Sequence, residues 1–446
     1  MDVRKQARRS PEWLSRSVMY QMFLRPFTRE GKLKAAEKKL PMLAELGIDI
    51  VYLCPICLQD DDMDRSGWSP RHHVSKSEDP RNPYRIKDYF TVDPEYGTDQ
   101  DLHDFVATAH GLGLRVLLDI VFFHCGPTAV FLKEHPAFVQ REPNGEIKNG
   151  QWRFPMLNFE CNELREYLWD NLEYWLREFK VDGYRCDVAS CVPLDFWEEA
   201  RRRMERVNPE VIVLSEGERR TEPEFAFDMN YTFAWNNRTV VPVFARKLPA
   251  AKLREVWEQQ HREFPEGARL IRYTDNHDIA NDAFENRPER AWGFDGMNAA
   301  LTLLFTIDGI PFVYNGQEIA DGDRHSIYKG VGSSIEWARA DSDTGRARFA
   351  LVRKLCELRH TEPALFDGAL TWLDNAAPEA VLSFVRESGE DRILVVINAR
   401  GEAVNTSLQL PDGETYEPLL SSGAALAGGT AALSPFGYVV AKRQQR

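Results

Sequence analysis

Four short polar clusters, each directly after an apolar run, contain the residue types that acid–base bond cleavage requires. In VDGYRCD, Arg185 and Asp187 are two positions apart, so both point to one face if this run is a strand. Taken alone, that spacing favours a buried ion pair between strands. The other clusters are LLDIVFFH with Asp119 and His124, LSEGE with Glu216 and Glu218, and TDNHD with Asp275, His277 and Asp278.

Asp187, Glu216 and Asp278 are carboxylates that parallel strands ending at one edge would bring together. Like charges in a partly desolvated site raise one another's pKa, so such a cluster is usually kept for function. Cleavage of a glycosidic bond with retention needs an ionised carboxylate and a protonated carboxylic acid about 5 Å apart. Arg185 would keep Asp187 ionised, whereas desolvation and the charge of Asp187 would raise the pKa of Glu216. The pattern therefore predicts glycosidase chemistry.

The scaffold that positions these clusters is predicted from the alternation of strand and helix patterns between residues 17 and 360. Such alternation predicts a parallel sheet with right-handed crossovers. Eight strands over this length fit an α/β fold of the (β/α)8 TIM barrel type, with catalysis at the carboxyl ends of the strands. The eight runs are SVMYQMFLRPF, IDIVYLCP, LRVLLDIVFFH, VDGYRCD, VIVLSE, AFDMNYTFAW, RLIRYTD and IPFVYN.

The predicted domains are a catalytic barrel over residues 1–361 and a C-terminal antiparallel β-sandwich domain over residues 362–446. A short insertion, at about 125–158, follows the third strand. After the helical pattern RARFALVRKLCELRH, the chain changes to short alternating runs separated by Gly, Asp, Asn and Pro turns. One further helix is predicted over LKAAEKKLPMLAELG, ending at Gly47.

Composition argues against several classes of partner and location. The formal net charge of −13 provides no basic patch for nucleic-acid phosphates, and no apolar run is long enough to span a membrane. The basic N-terminus lacks the apolar core of a signal peptide, and the seven cysteines follow no disulfide spacing, so a cytoplasmic protein is expected. The CPIC pair, Cys54 and Cys57, is predicted to be two buried thiols, with metal or redox chemistry as the alternative.

The four clusters, in this order, resemble the strand-end motifs of the α-amylase family of retaining glycoside hydrolases. The motifs are DIVFFH at 119–124, DGYRCDVA at 182–189, LSEGE at 214–218 and DNHD at 275–278. The resemblance extends over nearly the whole chain from about residue 17 and includes NPYRIKDYFTVDPEYGT and GIPFVYNGQEIA. Val188 and the PMLN element are closest in pattern to the intracellular oligosaccharide α-glucosidase and neopullulanase branches.

The resemblance implies three catalytic residues. Asp187 would be the nucleophile, Glu216 the acid/base, and Asp278 the carboxylate that binds and strains the sugar through its hydroxyls. Glu218 competes with Glu216 for the role of acid, but the family places its acid directly at the strand end. The implied substrate-binding residues are Tyr84, which would stack on the sugar ring, His124 and His277, which would hydrogen-bond it, and Arg185, which would orient Asp187.

Two departures from the family pattern concern metal binding. Phe123 stands where many members have a calcium-binding Asn, and VASCVP replaces the Lys-His pair of calcium-dependent amylases. The usual calcium site is therefore expected to be missing, and neither a metal nor a cofactor is predicted. His72 and His73 lie in a long connection after the second strand and are weaker candidates for a metal site. The tryptophans that would be either sugar platforms or core residues are Trp68, Trp152 and Trp235.

The resulting hypothesis is a retaining α-glycoside hydrolase that cleaves α-glucosidic bonds of small oligosaccharides through a covalent glycosyl-enzyme intermediate. One alternative is a transglycosylase or disaccharide phosphorylase, which would pass the same intermediate to another acceptor. A second alternative is a non-catalytic binding subunit of the same family. Such relatives generally lose members of the carboxylate triad, whereas Asp187, Glu216 and Asp278 are all present here.

Overall fold

The computed structural model describes residues 5–410 and 414–444 and contains a closed barrel of eight parallel strands. The strands pair in chain order, and the first also pairs with the eighth, so that Tyr20 lies opposite both Val51 and Val313. This topology confirms the predicted (β/α)8 barrel, with one strand from each predicted run. The barrel strands are Met19–Met22, Ile50–Leu53, Arg115–Ile120, Gly183–Cys186, Ile212–Ser215, Met229–Asn230, Arg269–Arg272 and Ile310–Tyr314.

The barrel strands are surrounded by helices, none of which, within the described ranges, is long and apolar enough to cross a membrane. The helix predicted to end at Gly47 does so, with φ of 93° at that glycine. It is split into two, however, because Pro41 lacks a backbone N–H and would clash with the carbonyl of Glu37, where the first helix ends. The α-helices are Leu24–Phe27, Leu33–Glu37, Leu40–Leu46, Pro70–Ser75, Asp99–Gly111, Asn162–Glu178, Leu194–Val207, Glu222–Phe225, Val241–Phe244, Ala251–Glu263, His277–Asp282, Pro288–Ala291, Gly293–Thr306, Asp343–Thr361 and Pro363–Phe366.

A C-terminal antiparallel sheet follows the barrel, as predicted. Its last strand pairs with the third, fourth and fifth strands, and the first three strands pair in chain order, so that all six belong to one hydrogen-bonded sheet. Arg386 attaches the sheet to the barrel, because its Nη1 donates to the carbonyl of Thr306 at 2.9 Å. The six strands are Ala369–Trp372, Val381–Ser388, Asp391–Asn398, Val404–Ser407, Tyr416–Ala427 and Thr430–Arg443, and a separate hairpin in the barrel domain pairs Cys57–Gln59 with Ile86–Val92.

Alternation along the strands divides the buried side chains of the barrel into two layers. Met19, Ile50 and Ile212 pack together in one cluster inside the barrel. Tyr184 and Cys186 belong to a different cluster, between the strands and the helices. Because neighbouring side chains of a strand point to opposite faces, Arg185 points into the barrel, as the sequence pattern predicted.

Gly183 begins the fourth strand and leaves no room for a side chain against the fifth. Its pairing partner is Ile212, and a Cβ at Gly183 would lie 1.8 Å from the Ile212 carbonyl oxygen. Gly183→Ala is therefore expected to lower the free energy of unfolding by about 2 kcal/mol or more, because backbone must move to accept the methyl group. Urea unfolding monitored by circular dichroism measures this. Gly111→Ala is the matched control, since no heavy atom lies within 4 Å of its added Cβ, and an equal loss in both variants would contradict the prediction.

Candidate active site

One cavity at the carboxyl ends of the barrel strands brings together most of the predicted site residues. Its empty volume is about 480 Å³ when the open mouth is included. Arg185 lies beneath the cavity and is fully buried. The predicted residues that line the cavity are Tyr84, His124, Asp187, Glu216, His277 and Asp278.

Arg185 joins three carboxylates below the cavity floor. Its Nη1 lies 2.8 Å from both Asp119 Oδ1 and Asp187 Oδ1, and its Nη2 lies 2.5 Å from Glu216 Oε1. The barrel creates this arrangement, because Arg185 on the fourth strand is in register with Asp119 on the third. Charge-assisted contacts of a planar guanidinium fix the positions of its partners. Asp187 and Glu216 are therefore held close to each other by one side chain.

Glu216 follows the fifth strand directly and has a second fixed contact. Its Oε2 accepts the backbone N–H of Val188 at 2.9 Å. Val188 has φ of 46° and ψ of 37°, a left-handed conformation that is strained for a β-branched residue. Such strain is concentrated at functional sites. Glu218 instead accepts the N–H of Ala234 at 2.9 Å, so Glu216 and not Glu218 is the carboxylate in the cavity.

The environments of the three cavity carboxylates separate their pKa values. Burial raises the pKa of Asp187 and, by more, that of Glu216, and Arg185 opposes the shift in both. The charges of Asp187 and Asp278 raise the pKa of Glu216 further. Asp278 is shifted the other way, because the His277 ring, which is charged only at low pH, and the Arg71 guanidinium together outweigh its burial and hold its pKa well below the usual range. A carboxyl with a high pKa beside carboxylates with lower ones is the arrangement that acid catalysis requires.

A chain of hydrogen bonds orients His277 and Tyr84. Gln21 Nε2 donates to Nδ1 of His277 at 2.8 Å, so the other ring nitrogen carries the proton and donates to the Tyr84 hydroxyl at 2.7 Å. The Tyr84 hydroxyl in turn donates to Asp119 Oδ2 at 3.0 Å. Burial lowers the pKa of His277 to about 4, which leaves the ring neutral at physiological pH. Asp119 thus supports the site from below, through its contacts with Tyr84 and Arg185.

His124 lines the cavity beside two aromatic side chains and has one ring nitrogen without a hydrogen-bond partner in the described part of the chain. Its Nε2 donates to the carbonyl of Tyr84 at 2.9 Å, and within the described ranges its Nδ1 is buried without a hydrogen-bond partner. Burial lowers the pKa of His124 to about 4. The ring lies 5.4 Å from Trp152 and 5.0 Å from Phe154, which both line the cavity.

Sequence reasoning missed Arg71, although it singled out the neighbouring His72 and His73. Arg71 Nη2 lies 2.8 Å from Asp278 Oδ1 and 2.7 Å from Asp282 Oδ2. The only sequence signal was the Ser-Pro pair, which predicts a helix start: Ser69 caps the helix Pro70–Ser75.

The weaker candidates from the sequence lie outside the cavity lining, apart from Trp152. Trp68 and Trp235 are buried core residues, whereas Trp152 lines the cavity. His72 is buried and stacked between Trp68 and Tyr328, with ring centroids 4.1 and 4.5 Å away. Cys54 and Cys57 are buried free thiols, and the described ranges contain no group of three or more His, Cys, Asp or Glu side chains placed to hold a metal ion.

Comparison with known proteins identifies the family. Residues 11–145 and 147–391 match the family described as "Alpha amylase, catalytic domain", and residues 370–440 match "Maltogenic Amylase, C-terminal domain". The chain belongs to the α-amylase family. This membership makes it a glycoside hydrolase and confirms the resemblance that the four strand-end motifs indicated.

Relatives within the α-amylase family include cyclomaltodextrinases, a neopullulanase and maltogenic amylases. A cyclomaltodextrinase of a Bacillus species is 27% identical, and the match covers 87% of this chain and 73% of that protein. Neopullulanase 2 of Thermoactinomyces vulgaris is also 27% identical, with 91% and 74% covered. The crystal structure of a maltogenic alpha-amylase from Thermotoga neapolitana superposes with a TM-score of 0.84 at 26% identity. The match covers 97% of this chain and 100% of that one. These matches agree with the neopullulanase-like branch expected from Val188 and PMLN.

Proposed function

We propose that this α-amylase-family member is a retaining α-glucosidase that hydrolyses small oligosaccharides through a covalent glycosyl-enzyme. The observation that supports this most is the pair of carboxylates bridged by Arg185, in which the pKa of Glu216 is raised above that of Asp187. A retaining glycosidase needs one ionised and one protonated carboxyl group at short separation. The shared contact with Arg185 and the order of the two pKa values support these roles for Asp187 and Glu216.

The proposed reaction has two steps. In the first, Asp187 attacks the anomeric carbon while Glu216 donates its proton to the departing glycosidic oxygen, which leaves an ester between the sugar and Asp187. In the second, Glu216, now ionised, removes a proton from water, and the resulting nucleophile releases the sugar from Asp187. Asp278 holds the sugar hydroxyls, and Arg185 keeps the attacking oxygen of Asp187 in place.

The proposed substrate is an uncharged oligosaccharide of a few sugar units. Tyr84, Trp152 and Phe154 supply flat apolar surface on which the CH groups of a pyranose pack, and His124 and Asp278 supply hydrogen-bonding groups. The proposed location is the cytoplasm. The free thiols of the chain support it, as does a relative, the "Intracellular maltogenic amylase" of Bacillus subtilis, which is 26% identical.

Product analysis tests this function. The enzyme is incubated with glucosides linked α-1,4, α-1,6 and α-1,1 and with sucrose, and the products are followed by proton NMR from the first turnover. We expect free sugar whose new reducing end is the α-anomer before mutarotation, because two displacements at one carbon restore its configuration. A first product in the β configuration would contradict the mechanism. Parallel reactions with inorganic phosphate or an acceptor sugar are expected to give no sugar phosphate and little transfer product; a dominant phosphate ester or transfer product would instead identify a phosphorylase or a transglycosylase.

A further inference from the structure

The order of strands around the barrel places two parts of the cavity wall on opposite sides. Because the strands follow chain order around a closed ring of eight, the first strand lies opposite the fifth, which carries Glu216. The loops after the second and eighth strands flank the first strand. They contribute Ser69 and Arg71, and Ile327 and Tyr328, to the cavity. This group of four residues, the distal wall, therefore faces Glu216 across the cavity.

The distal wall is held rigidly. The Ser69 hydroxyl caps the helix Pro70–Ser75 by accepting the N–H of His72 at 3.1 Å, and it lies 3.2 Å from the Tyr328 hydroxyl. The buried ring of His72 stacks on the Tyr328 ring, with centroids 4.5 Å apart. Ser77 Oγ donates to the carbonyl of Lys329 at 2.7 Å. The two loops are thus locked to each other, and the wall is a fixed boundary of the cavity.

Arg71 is the residue of the distal wall that contacts Asp278. Its guanidinium contacts Asp278 and Asp282, which are four residues apart on the helix His277–Asp282. The side chain is only 31% exposed, and its Nε is buried without a hydrogen-bond partner in the described part of the chain. A sugar bound to Asp278 would therefore have the Arg71 guanidinium beside the hydroxyls that point away from Glu216.

We propose that Arg71 and the distal wall close the cavity behind the sugar that is cleaved off, so that the enzyme removes single sugars from the non-reducing ends of chains. The inference rests on the proposed function, because a general acid must lie beside the departing oxygen and the leaving group therefore extends past Glu216. The opposite end of the cleaved sugar faces the distal wall. A chain that continued in that direction would collide with Arg71, which makes this arginine a specificity-determining residue.

End-blocked substrates test this directly. Two aryl malto-oligosaccharides are compared, one with a free non-reducing end and one whose terminal 4- and 6-hydroxyls carry an ethylidene acetal. The wild-type enzyme is expected to cleave the blocked compound with less than about one per cent of the kcat/KM for the free one. Arg71→Ala is expected to raise the ratio of blocked to free cleavage at least about tenfold, because it removes the obstructing side chain. Arg65→Ala is the control, since Arg65 belongs to the same segment but is half exposed and pairs with Glu78.

The outcomes separate the two levels of the proposal. Efficient cleavage of the blocked compound by the wild-type enzyme would overturn the closed cavity while leaving the glycosidase function intact. An unchanged ratio in a folded Arg71→Ala would overturn the role of Arg71. Failure of the wild-type enzyme to cleave either compound, or any α-glucoside, would overturn the proposed function and this inference with it. If Arg71→Ala does not fold, the wild-type comparison alone decides whether the cavity is closed.

Discussion

Asp187→Asn is expected to lower kcat by at least about 10⁴-fold, the scale of loss seen when a catalytic nucleophile is removed. The amide nitrogen and oxygen of asparagine are far weaker nucleophiles than a carboxylate, so no ester with the sugar forms. Little else in the site should change. Arg185 keeps its contacts with Asp119 at 2.8 Å and Glu216 at 2.5 Å, and asparagine has the shape of the residue it replaces. The measurement is steady-state hydrolysis of an aryl α-glucoside.

Asp195→Asn is the matched control for the nucleophile. Asp195 lies eight positions further along the chain and forms a surface ion pair with Arg165, with its own side chain 66% exposed. Surface pairs of this kind contribute little to stability, so activity and thermal midpoint should remain close to those of the wild type. Thermal unfolding of Asp187→Asn must also show an intact fold. A folded Asp187→Asn enzyme that retained more than about one per cent of kcat would contradict the role of Asp187 as nucleophile.

The parts of the fold and site that the sequence predicted are those governed by local pattern. Apolar runs ending in polar residues located all eight barrel strands, since a buried parallel strand needs apolar side chains on both faces. The spacing of Arg185 and Asp187 predicted that their side chains would lie together, and they form an ion pair at 2.8 Å, although Asp187 lies one residue beyond the strand Gly183–Cys186. The predicted end of a helix at Gly47 is also confirmed, because this glycine adopts the positive φ of 93° with which the helix ends. In each case the information lies within a few consecutive residues.

Contacts between distant segments could not be predicted in this way. Arg71 reaches Asp278 across 207 positions of sequence, and no local pattern distinguishes it from a solvated arginine. The same limit applies to tryptophan: Trp68, Trp152 and Trp235 are alike in sequence, yet only Trp152 lines the cavity. Whether a flat ring becomes core or platform depends on which loops pack around it. Local pattern thus predicts where the carboxylates lie, and long-range packing determines the far side of the cavity, which selects the substrate.

Electrostatics beneath the cavity also required the structure. The sequence predicted that Arg185 would keep Asp187 ionised, and the two are indeed paired at 2.8 Å. The same guanidinium, however, also contacts Glu216, the residue that must hold a proton. Glu216 remains the stronger base because burial and two neighbouring carboxylates outweigh Arg185. Burial and the charges of Arg185, Asp187 and Asp278 therefore determine together whether Glu216 holds a proton. The pH dependence of activity should report on the protonation of Glu216.

Glu216→Gln is expected to lower kcat for oligosaccharides by about 10³-fold or more, because the departing oxygen loses its proton donor. The pH dependence gives a second readout. In the wild type, activity should fall at low pH as Asp187 becomes protonated and at high pH as Glu216 loses its proton. Since burial raises the pKa of Glu216 well above its usual range, the alkaline decline lies far above the normal titration of a glutamate. Glutamine does not titrate, so the variant should lose this alkaline decline and keep the acidic one.

Activated substrates separate the acid role of Glu216 from a structural one. A glucosyl fluoride needs little help to depart, so the first step of Glu216→Gln should survive and the ester with Asp187 should accumulate, visible as added mass. Water attacks this ester slowly without a base, but azide needs none, so added azide should restore turnover and yield an α-glucosyl azide. Glu218→Gln is the control, because Glu218 lies two residues further along the chain and pairs with Arg238 at 2.7 Å. This variant should keep the pH profile of the wild-type enzyme and show no effect of azide. If azide instead rescued Glu218→Gln and not Glu216→Gln, the two glutamates would exchange roles.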